Sequence, residues 1–186
     1  MFELLKKISV PEGTRGDWRV ERFTIDKIGE FRGAIAYRER RPSQGTYTRL
    51  VHRERGVVMS DTDAELRDLS AIAYSATGHV LLNGLGLGVV LQACLAKSEV
   101  TKVTVIEVDA DVIELVARHY EDPRVKIIHA DALTYRPPKG TRYGAVWHDI
   151  WDGSCSDNLE QMKLLHRRYG RLTDWQGSWG RHLIRR

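Results

Sequence analysis

The spacing of apolar and polar residues divides this chain into three regions, and the first carries strand patterns. Trp18–Ile25 roughly alternates polar and apolar residues, and Gly33–Tyr37, Tyr47–His52 and Val57–Met59 are further short candidates. Alternation over a few residues is typical of strands with one buried face. We therefore expect residues 1–59 to form a small antiparallel β-element.

A helix is predicted next along the chain. Thr62 and Glu65 have the spacing of a capping box, in which two side chains bind backbone amides at a helix start. Apolar residues then recur at helical spacing to about Ala76. Gly78 is placed to end this helix.

The third region alternates short apolar runs with helical patterns. Strands rich in valine and isoleucine, separated by helices, predict βαβ units and a mostly parallel sheet. The predicted fold class is therefore α/β, with a Rossmann-like domain over residues 60–186. Its C-terminal strands are reduced, because few residues follow the fourth strand and only Gly177–Ile184 suits a further extended segment. The strand candidates are His79–Asn83, Lys102–Glu107, Val125–His129 and Ala145–Asp149, and the helix candidates are Gly88–Lys97, Ala110–His119 and Leu159–Tyr169.

The first of these strands runs into a glycine loop. After Val80–Asn83, glycine stands at Gly84, Gly86 and Gly88, where the backbone can turn tightly and approach a ligand. A dinucleotide fingerprint needs its third glycine at the position of Val89, which disfavours a nicotinamide-dependent oxidoreductase. The G-x-G-x-G spacing is instead typical of sites for S-adenosylmethionine (SAM).

Polar side chains follow the next two strands. Glu107 lies about 20 residues beyond the loop, the spacing of a carboxylate that accepts from both hydroxyls of a ribose. The alternative is a surface glutamate at a strand end. Asp131, beside the small Ala132, is placed to accept from an adenine amino group, and its alternative role is to cap a turn.

Two carboxylates lie where the fourth strand ends. Asp149 and Asp152 are placed to hold or deprotonate an amine, which must lose a proton to become a nucleophile. In the alternative, Asp152 caps the loop before Gly153 and only Asp149 faces a ligand. Between them, Trp151 either stacks on a substrate or fills the edge of the sheet.

Composition restricts the class of protein. The chain has 186 residues, of which 42% are hydrophobic and 29% charged, as in soluble globular proteins. It has no apolar run near the ~20 residues of a membrane span and no signal-peptide order at the N-terminus, so we expect a cytoplasmic protein without a membrane partner. Cys94 and Cys155 belong to no metal-spaced cluster, and no metal is predicted. A net charge of +4 favours a solvated basic surface over a nucleic-acid site.

These motifs together resemble the class I SAM-dependent methyltransferase superfamily, and within it the spermidine synthase (polyamine aminopropyltransferase) branch. The resemblance runs roughly from Tyr47 to Gly153, and the N-terminal β-element ahead of a Rossmann-like core also matches. The motifs that carry it are Arg55–Ser60, the glycine loop, Val105–Asp109, Asp122–Ile128, Asp131–Ala132, and Asp149 with Asp152.

This resemblance implies SAM or decarboxylated SAM as the cofactor and assigns roles to the residues of the motifs. The implied roles are a cofactor lining of Gly84, Gly86 and Gly88, a ribose contact at Glu107, an adenine contact at Asp131 with Ala132, a catalytic aspartate at Asp149, and an amine contact at Asp152.

The chain departs from the branch at three positions. Leu87 stands where the branch keeps an aspartate beside the reacting group, Met59 where glutamine is usual, and Gly153 where proline is usual. The loss of a carboxylate beside the path of a dication weakens polyamine synthesis more than SAM binding. Thr173–Trp179 also resembles the tail of short methyltransferase-like proteins from phages and prophages.

Three functions follow from this pattern. The first is a SAM-binding methyltransferase of unknown acceptor, with an aminopropyltransferase that uses decarboxylated SAM as the second. The third is a non-catalytic scaffold that binds a protein or nucleic acid through its basic tail. A shortened sheet leaves an open edge, so a homodimer is expected.

Overall fold

The structure is a computed structural model that describes residues 4–26 and 42–184. It contains two sheets, one antiparallel and one parallel. The predicted strand at Gly33–Tyr37 lies outside the described residues.

The N-terminal sheet is antiparallel, with strand order β1-β2-β3-β4. In its second strand Trp18 and Val20 are buried with the exposed Arg19 between them, so this part of the sheet packs one face on the rest of the protein. The predicted alternation is confirmed there, and a first strand that the pattern did not indicate precedes it. The strands are β1 (Gly13–Arg15), β2 (Trp18–Ile25), β3 (Gly45–His52) and β4 (Gly56–Ser60).

The second sheet is parallel throughout, in the order β7-β6-β5-β8-β9. Its central strand is buried on both faces, because Val80 and Leu82 pack in one apolar cluster and Leu81 in another. The predicted α/β, Rossmann-like class is thereby confirmed, and strand Val125–His129 has the predicted bounds. The strands are β5 (Gly78–Asn83), β6 (Val100–Glu107), β7 (Val125–His129), β8 (Tyr143–His148) and β9 (Thr173–Ser178).

In the described part of the chain five α-helices connect these strands, and the prediction of one helix from Thr62 to Ala76 was wrong. The chain forms two short helices that meet at Leu69, whose amide bonds the Leu66 carbonyl three residues back. Leu69 is 1% exposed, so this tightened turn places it in the core. The helices are α1 (Asp63–Asp68), α2 (Ser70–Ser75), α3 (Val89–Leu95), α4 (Ala110–Val116) and α5 (Asn158–Tyr169).

The tail also differs from the prediction of an extended Gly177–Ile184. Strand β9 begins earlier, and a single 3-10 turn, Arg181–Leu183, follows Gly180. The Trp175 ring of β9 stacks on Trp147 of β8 at 6.2 Å between centroids. This stacking and the pairing with β8 give the tail a fifth strand that its polar composition did not indicate.

A buried carboxylate directly after β4 ties the N-terminal segment to strand β3. Asp61 is 1% exposed and accepts from the amides of Ile8, at 3.1 Å, and Thr48, at 2.6 Å. The predicted boundary between residues 59 and 60 therefore falls inside β4, one residue before this junction.

Strands β7 and β9 form the edges of the parallel sheet within the described residues, and the expected homodimer stays a prediction. None of the helices described is long and apolar enough to cross a membrane. Strand order reverses between β5 and β8, and in such sheets ligands bind at that point, beyond the carboxyl ends of the strands.

Candidate functional site

A cavity of about 340 Å³ opens at this point of the parallel sheet. It is lined by the ends of β5, β6 and β8, by the segment after β7, and by residues of β2–β4. Its volume lies within the range of small-molecule sites. The predicted site residues that line it are Gly84, Gly86, Glu107, Asp131, Ala132, Asp149 and Asp152.

The glycine loop turns on residues with positive φ. Gly84 has φ 103° and Gly86 has φ 51°, a region that side chains with a Cβ rarely adopt. A Cβ on Gly84 would collide with the backbone oxygen of Asp149, and one on Gly86 would collide with the Met59 sulfur. The loop therefore packs between Asp149, which follows β8, and Met59 of β4.

Gly88 lies apart from the cavity lining, at the start of α3. A Cβ there would collide with the Tyr120 ring, whose hydroxyl donates to the Leu87 carbonyl at 2.8 Å. Among the described residues, the contact with Tyr120 is thus sufficient to explain why this position is glycine.

Glu107 is 8% exposed and is held by two backbone donors. One carboxylate oxygen accepts from the Leu85 amide at 2.8 Å and the other from the Asp109 amide at 3.0 Å. These bonds tie the glycine loop to β6 and fix the carboxylate at the cavity wall. Because an ionised carboxylate has about four acceptor sites, it retains capacity for ligand hydroxyls.

Asp131 caps a turn and lies in the cavity lining. One of its oxygens accepts from the Leu133 amide at 2.7 Å, which is the turn-capping role. The residue also lines the cavity beside Ala132, which is 4% exposed. The turn orients the carboxylate, and the small neighbour leaves space for a flat ring.

Asp149 has the most strongly perturbed carboxyl of the cavity. Its pKa is raised to about 7, first by burial and then by the charges of Glu65, Asp68 and Glu107. An interaction with the Trp147 indole lowers the pKa in part, although no atom among the described residues completes a hydrogen bond to the indole nitrogen. A carboxyl with a pKa near neutrality is suited to accept and release a proton.

Asp152, by contrast, lies at the cavity mouth, and its side chain is 44% exposed. It pairs with Arg55 of the β3–β4 turn at 2.9 Å. Trp151 lies beside it, lines the cavity, and donates its indole hydrogen to Gln161 of α5 at 2.7 Å. Trp151 is therefore anchored to helix α5 and lies in the cavity lining.

The site prediction missed other lining residues, among them Trp18, Arg55, Met59 and Glu65. Glu65 was recognised only as a capping residue; its amide donates to the Thr62 side chain, and its carboxylate accepts from the Ser60 amide at 2.7 Å instead of from the Thr62 amide. The others reach the cavity because the antiparallel sheet packs over it, and no local pattern reports such a contact. The alternation in β2 did place Trp18 on the buried face.

A neutral polar pair lies beneath the cavity. His148 is fully buried, and burial lowers its pKa to about 3. Its Nδ1 accepts from the Asn83 side-chain amide at 2.7 Å. This pair joins the ends of β5 and β8 and so fixes the strand ends from which Gly84 and Asp149 follow.

Comparison with known proteins gives partial matches. No family model matches the chain. A polyamine aminopropyltransferase of Pyrobaculum islandicum is 28% identical over 102 residues, which cover 49% of this chain and 35% of that protein. The chain therefore spans about a third of the length of this curated relative.

Solved structures give similarities of fold. The N-methyltransferase NodS of Bradyrhizobium japonicum, in complex with S-adenosylhomocysteine, is 14% identical with a TM-score of 0.47, over 59% of this chain and 56% of that one. The plantazolicin methyltransferase BpumL, also in complex with S-adenosylhomocysteine, is 14% identical with a TM-score of 0.43, over 58% of this chain and 43% of that one.

Proposed function

We propose that this protein is a SAM-dependent transferase, with methyl transfer to an acceptor as the favoured reaction. The observation that carries the proposal is the convergence of the glycine loop, Glu107, Asp131 and Asp149 on one cavity at the reversal of strand order. Each of these elements follows a different strand, so the fold brings them together from distant parts of the chain.

The residues present fit the proposed cofactor. Gly84 and Gly86 line the cavity with backbone that carries no side chain, and Glu107 offers a fixed carboxylate for a ribose diol. Asp131 and Ala132 suit the amino edge and the plane of an adenine. When bound, SAM supplies an electrophilic carbon on a sulfonium.

The charge of the cavity supports a cationic ligand. Six carboxylates line it, and Arg55 is the one basic residue among its described lining. Opposite charges within a few ångströms attract strongly where water is displaced. The six are Glu65, Glu107, Asp109, Asp131, Asp149 and Asp152.

Asp149 is the residue that handles the proton. Its carboxylate oxygen accepts a proton from the nucleophile of the acceptor, and its pKa of about 7 keeps both forms populated near neutrality. The remaining contribution of the protein is to position the acceptor in line with the breaking bond.

Aminopropyl transfer from decarboxylated SAM is the second candidate. The acidic lining and the similarity to the Pyrobaculum islandicum enzyme favour it. Leu87 disfavours it, because its side chain is fully buried in the apolar core and provides no carboxylate for a second ammonium. The scaffold function is the third candidate and requires that neither nucleoside binds.

Calorimetric titration with SAM and with decarboxylated SAM tests these candidates. We expect SAM to bind, and Glu107→Gln to weaken its binding by about 1–3 kcal/mol through loss of charge-assisted hydrogen bonds. Glu114→Gln, an exposed change on α4, is the matched control and should leave affinity unchanged.

A clear preference for decarboxylated SAM would replace methyl transfer with aminopropyl transfer. Absence of binding to both compounds by the folded protein would leave the scaffold function. Wild-type affinity in Glu107→Gln would remove that residue from the site.

A further inference from the structure

A buried hydrogen-bond donor in the cavity wall is unpaired among the described residues. It is the indole nitrogen of Trp147, a residue that lines the cavity and is 4% exposed. Buried donors in folded proteins almost always find an acceptor, because leaving one unpaired destabilises the fold. An unpaired donor at the wall of a ligand cavity therefore indicates that the ligand supplies the acceptor.

Two other buried polar atoms are unpaired among the described residues, but they lie beneath the cavity. They are the Asn83 side-chain oxygen and the Tyr169 hydroxyl. Both residues flank His148, since Asn83 donates to its ring and the Tyr169 ring lies 5.5 Å from it between centroids. One atom is an acceptor and the other a donor, so the two suit each other. Of the three residues, only Trp147 lines the cavity.

The packing of the Trp147 ring directs its nitrogen away from β9. The ring stacks on Trp175 at 6.2 Å between centroids. A Cβ on Gly177, which is the partner of Trp147 in the strand register, would come within 2.9 Å of ring carbon Cζ3. This carbon and Nε1 lie on opposite edges of an indole. The nitrogen therefore faces the side of β5, where Leu82 also lines the cavity.

Asp149 provides a carboxylate on the same face of the strand. Its amide donates to the Asn83 carbonyl at 2.8 Å, so the pairing of β8 with β5 continues as far as this residue. Residues two apart in a strand point to the same face and lie about 6.6 Å apart along it. One oxygen atom hydrogen-bonded to both side chains spans about 5.6 Å between them. A single ligand oxygen thus suits the pair.

An indole N–H beside a carboxylate selects the group that binds between them. A hydroxyl has lone pairs that accept from the N–H and a proton that it donates to the carboxylate. An ammonium has no lone pair and leaves the Trp147 donor unpaired. Leu69, Met59 and Trp179 supply apolar side chains to the same cavity, so the body that carries the hydroxyl is apolar as well.

Acidity favours one kind of hydroxyl. The pKa of a phenol is about 10, whereas an alkyl hydroxyl is about as weak an acid as water, with a pKa of about 16. Burial raises the pKa of Asp149 to about 7. The carboxylate therefore removes a proton from a phenol at much lower cost than from an alkyl alcohol.

We infer that the acceptor is a phenol whose hydroxyl binds between the Trp147 indole and the Asp149 carboxylate. This inference rests on the proposed function and names its substrate class, which differs from the amine that the aminopropyltransferase resemblance implies. Trp147 is the residue that determines this specificity, because its N–H donates only to a group with a lone pair.

The transfer step balances with the residues present. Asp149 takes the proton of the phenol hydroxyl, and the phenol oxygen forms a bond to the methyl carbon of the sulfonium. The carbon–sulfur bond breaks with its electron pair going to sulfur, which leaves a thioether and a methyl ether. Asp149 then releases the proton to water, and no oxidant or further co-reactant is needed.

Titration of p-cresol into the protein saturated with S-adenosylhomocysteine tests the inference. The readout is the nitrogen–proton correlation spectrum of the five tryptophan indoles, in which Trp147→Phe identifies the Trp147 signal. We expect the Trp147 indole proton to move downfield when p-cresol binds, because it gains an acceptor. Toluene has the same ring and methyl group without the hydroxyl, so it is the matched control ligand and should cause a smaller shift.

Calorimetry on the same complex gives a second measurement. Trp147→Phe should weaken p-cresol binding about five- to tenfold through loss of one hydrogen bond, and should leave the weaker binding of benzylamine unchanged. A merely structural role of Trp147 would weaken both ligands alike. Trp175→Phe is the matched control variant, because Trp175 stacks on Trp147 without lining the cavity.

An indole signal that p-cresol moves no further than toluene does would overturn the inference, as would tighter binding of benzylamine than of p-cresol. A signal that follows the titration of Asp149 and ignores p-cresol would also overturn it, and would assign the N–H to that carboxylate. Binding of S-adenosylhomocysteine without p-cresol would defeat this inference alone, whereas failure to bind S-adenosylhomocysteine would defeat the proposed function.

Discussion

The two walls of the cavity are built in different ways. On the cofactor wall, Glu107 is buried and held by backbone amides, and the loop that begins at Gly84 fits against the backbone of Asp149. On the acceptor wall, Arg55 and Asp152 are half-exposed and held by each other. The first wall is fixed by the folded core, while the second can change its side chains without disturbing the fold.

The largest expected effect separates chemistry from cofactor binding. We expect Asp149→Asn to lower the rate of transfer about 10²–10⁴-fold, because the amide cannot accept the proton of the nucleophile. Affinity for S-adenosylhomocysteine should stay near wild type, since Glu107 and the glycine loop are untouched. Release of S-adenosylhomocysteine from SAM measures the rate.

Asp157→Asn, on the exposed turn before α5, is the control for that measurement. Equal losses in rate and in cofactor affinity would show that Asp149 is needed for cofactor binding as well as for proton transfer.

The dependence of the rate on pH gives the next largest effect. Because the pKa of Asp149 is raised to about 7, the rate should fall about tenfold for each pH unit below 7 and level off above it. Burial and three carboxylates cause this rise, namely Glu65 and Asp68 from α1 and Glu107 from β6. A pH–rate profile of kcat at saturating SAM measures it.

The raised pKa of Asp149 also makes the stability of the fold depend on pH. An acid whose pKa is higher in the folded than in the unfolded state stabilises the fold while it is protonated. The contribution of Asp149 is therefore lost as pH rises from about 4 to about 7. If the Asp149→Asn variant kept the same loss of stability over that interval, Asp149 would not be its source.

The smallest effect concerns the cofactor wall alone. Arg168 of α5 donates to the carbonyls of Ala132 at 2.8 Å and Leu133 at 2.5 Å, and so braces the segment after β7. We expect Arg168→Met to weaken S-adenosylhomocysteine binding by about 1–2 kcal/mol by loosening the adenine contacts. Calorimetry measures the change, with the exposed Arg167→Met as its control.

S-ribosylhomocysteine, which lacks the adenine, sharpens that test. Its affinity should change little in Arg168→Met. A similar loss for both ligands would mean that the brace acts on the whole domain instead of on one contact.

Much of the fold was predictable because its signals are local. The apolar runs of the parallel sheet and the carboxylates at their ends, Glu107 and Asp149, follow from short stretches of sequence. The break at Leu69 and the strand Thr173–Ser178 did not follow, since tertiary packing and pairing with β8 decide them.

The site divides in the same way. Glycine and acidic motifs indicated the cofactor wall, whereas Trp18 and Arg55 reach the cavity through the packing of one sheet on another. The Arg55–Asp152 pair joins positions 97 apart in the chain, and no pattern within a window of residues reports it.

Asp61 limits which N-terminal sheets could replace the present one by recombination. A recombination joint between residues 59 and 60 would look natural from the motifs, yet the carboxylate beside it binds amides from both ends of the first sixty residues. A foreign N-terminal sheet would have to supply two amides at the same positions or leave a buried charge uncompensated. Single side chains of the acceptor wall can therefore change, but the N-terminal sheet that carries part of this wall cannot be exchanged without the residues that bind Asp61.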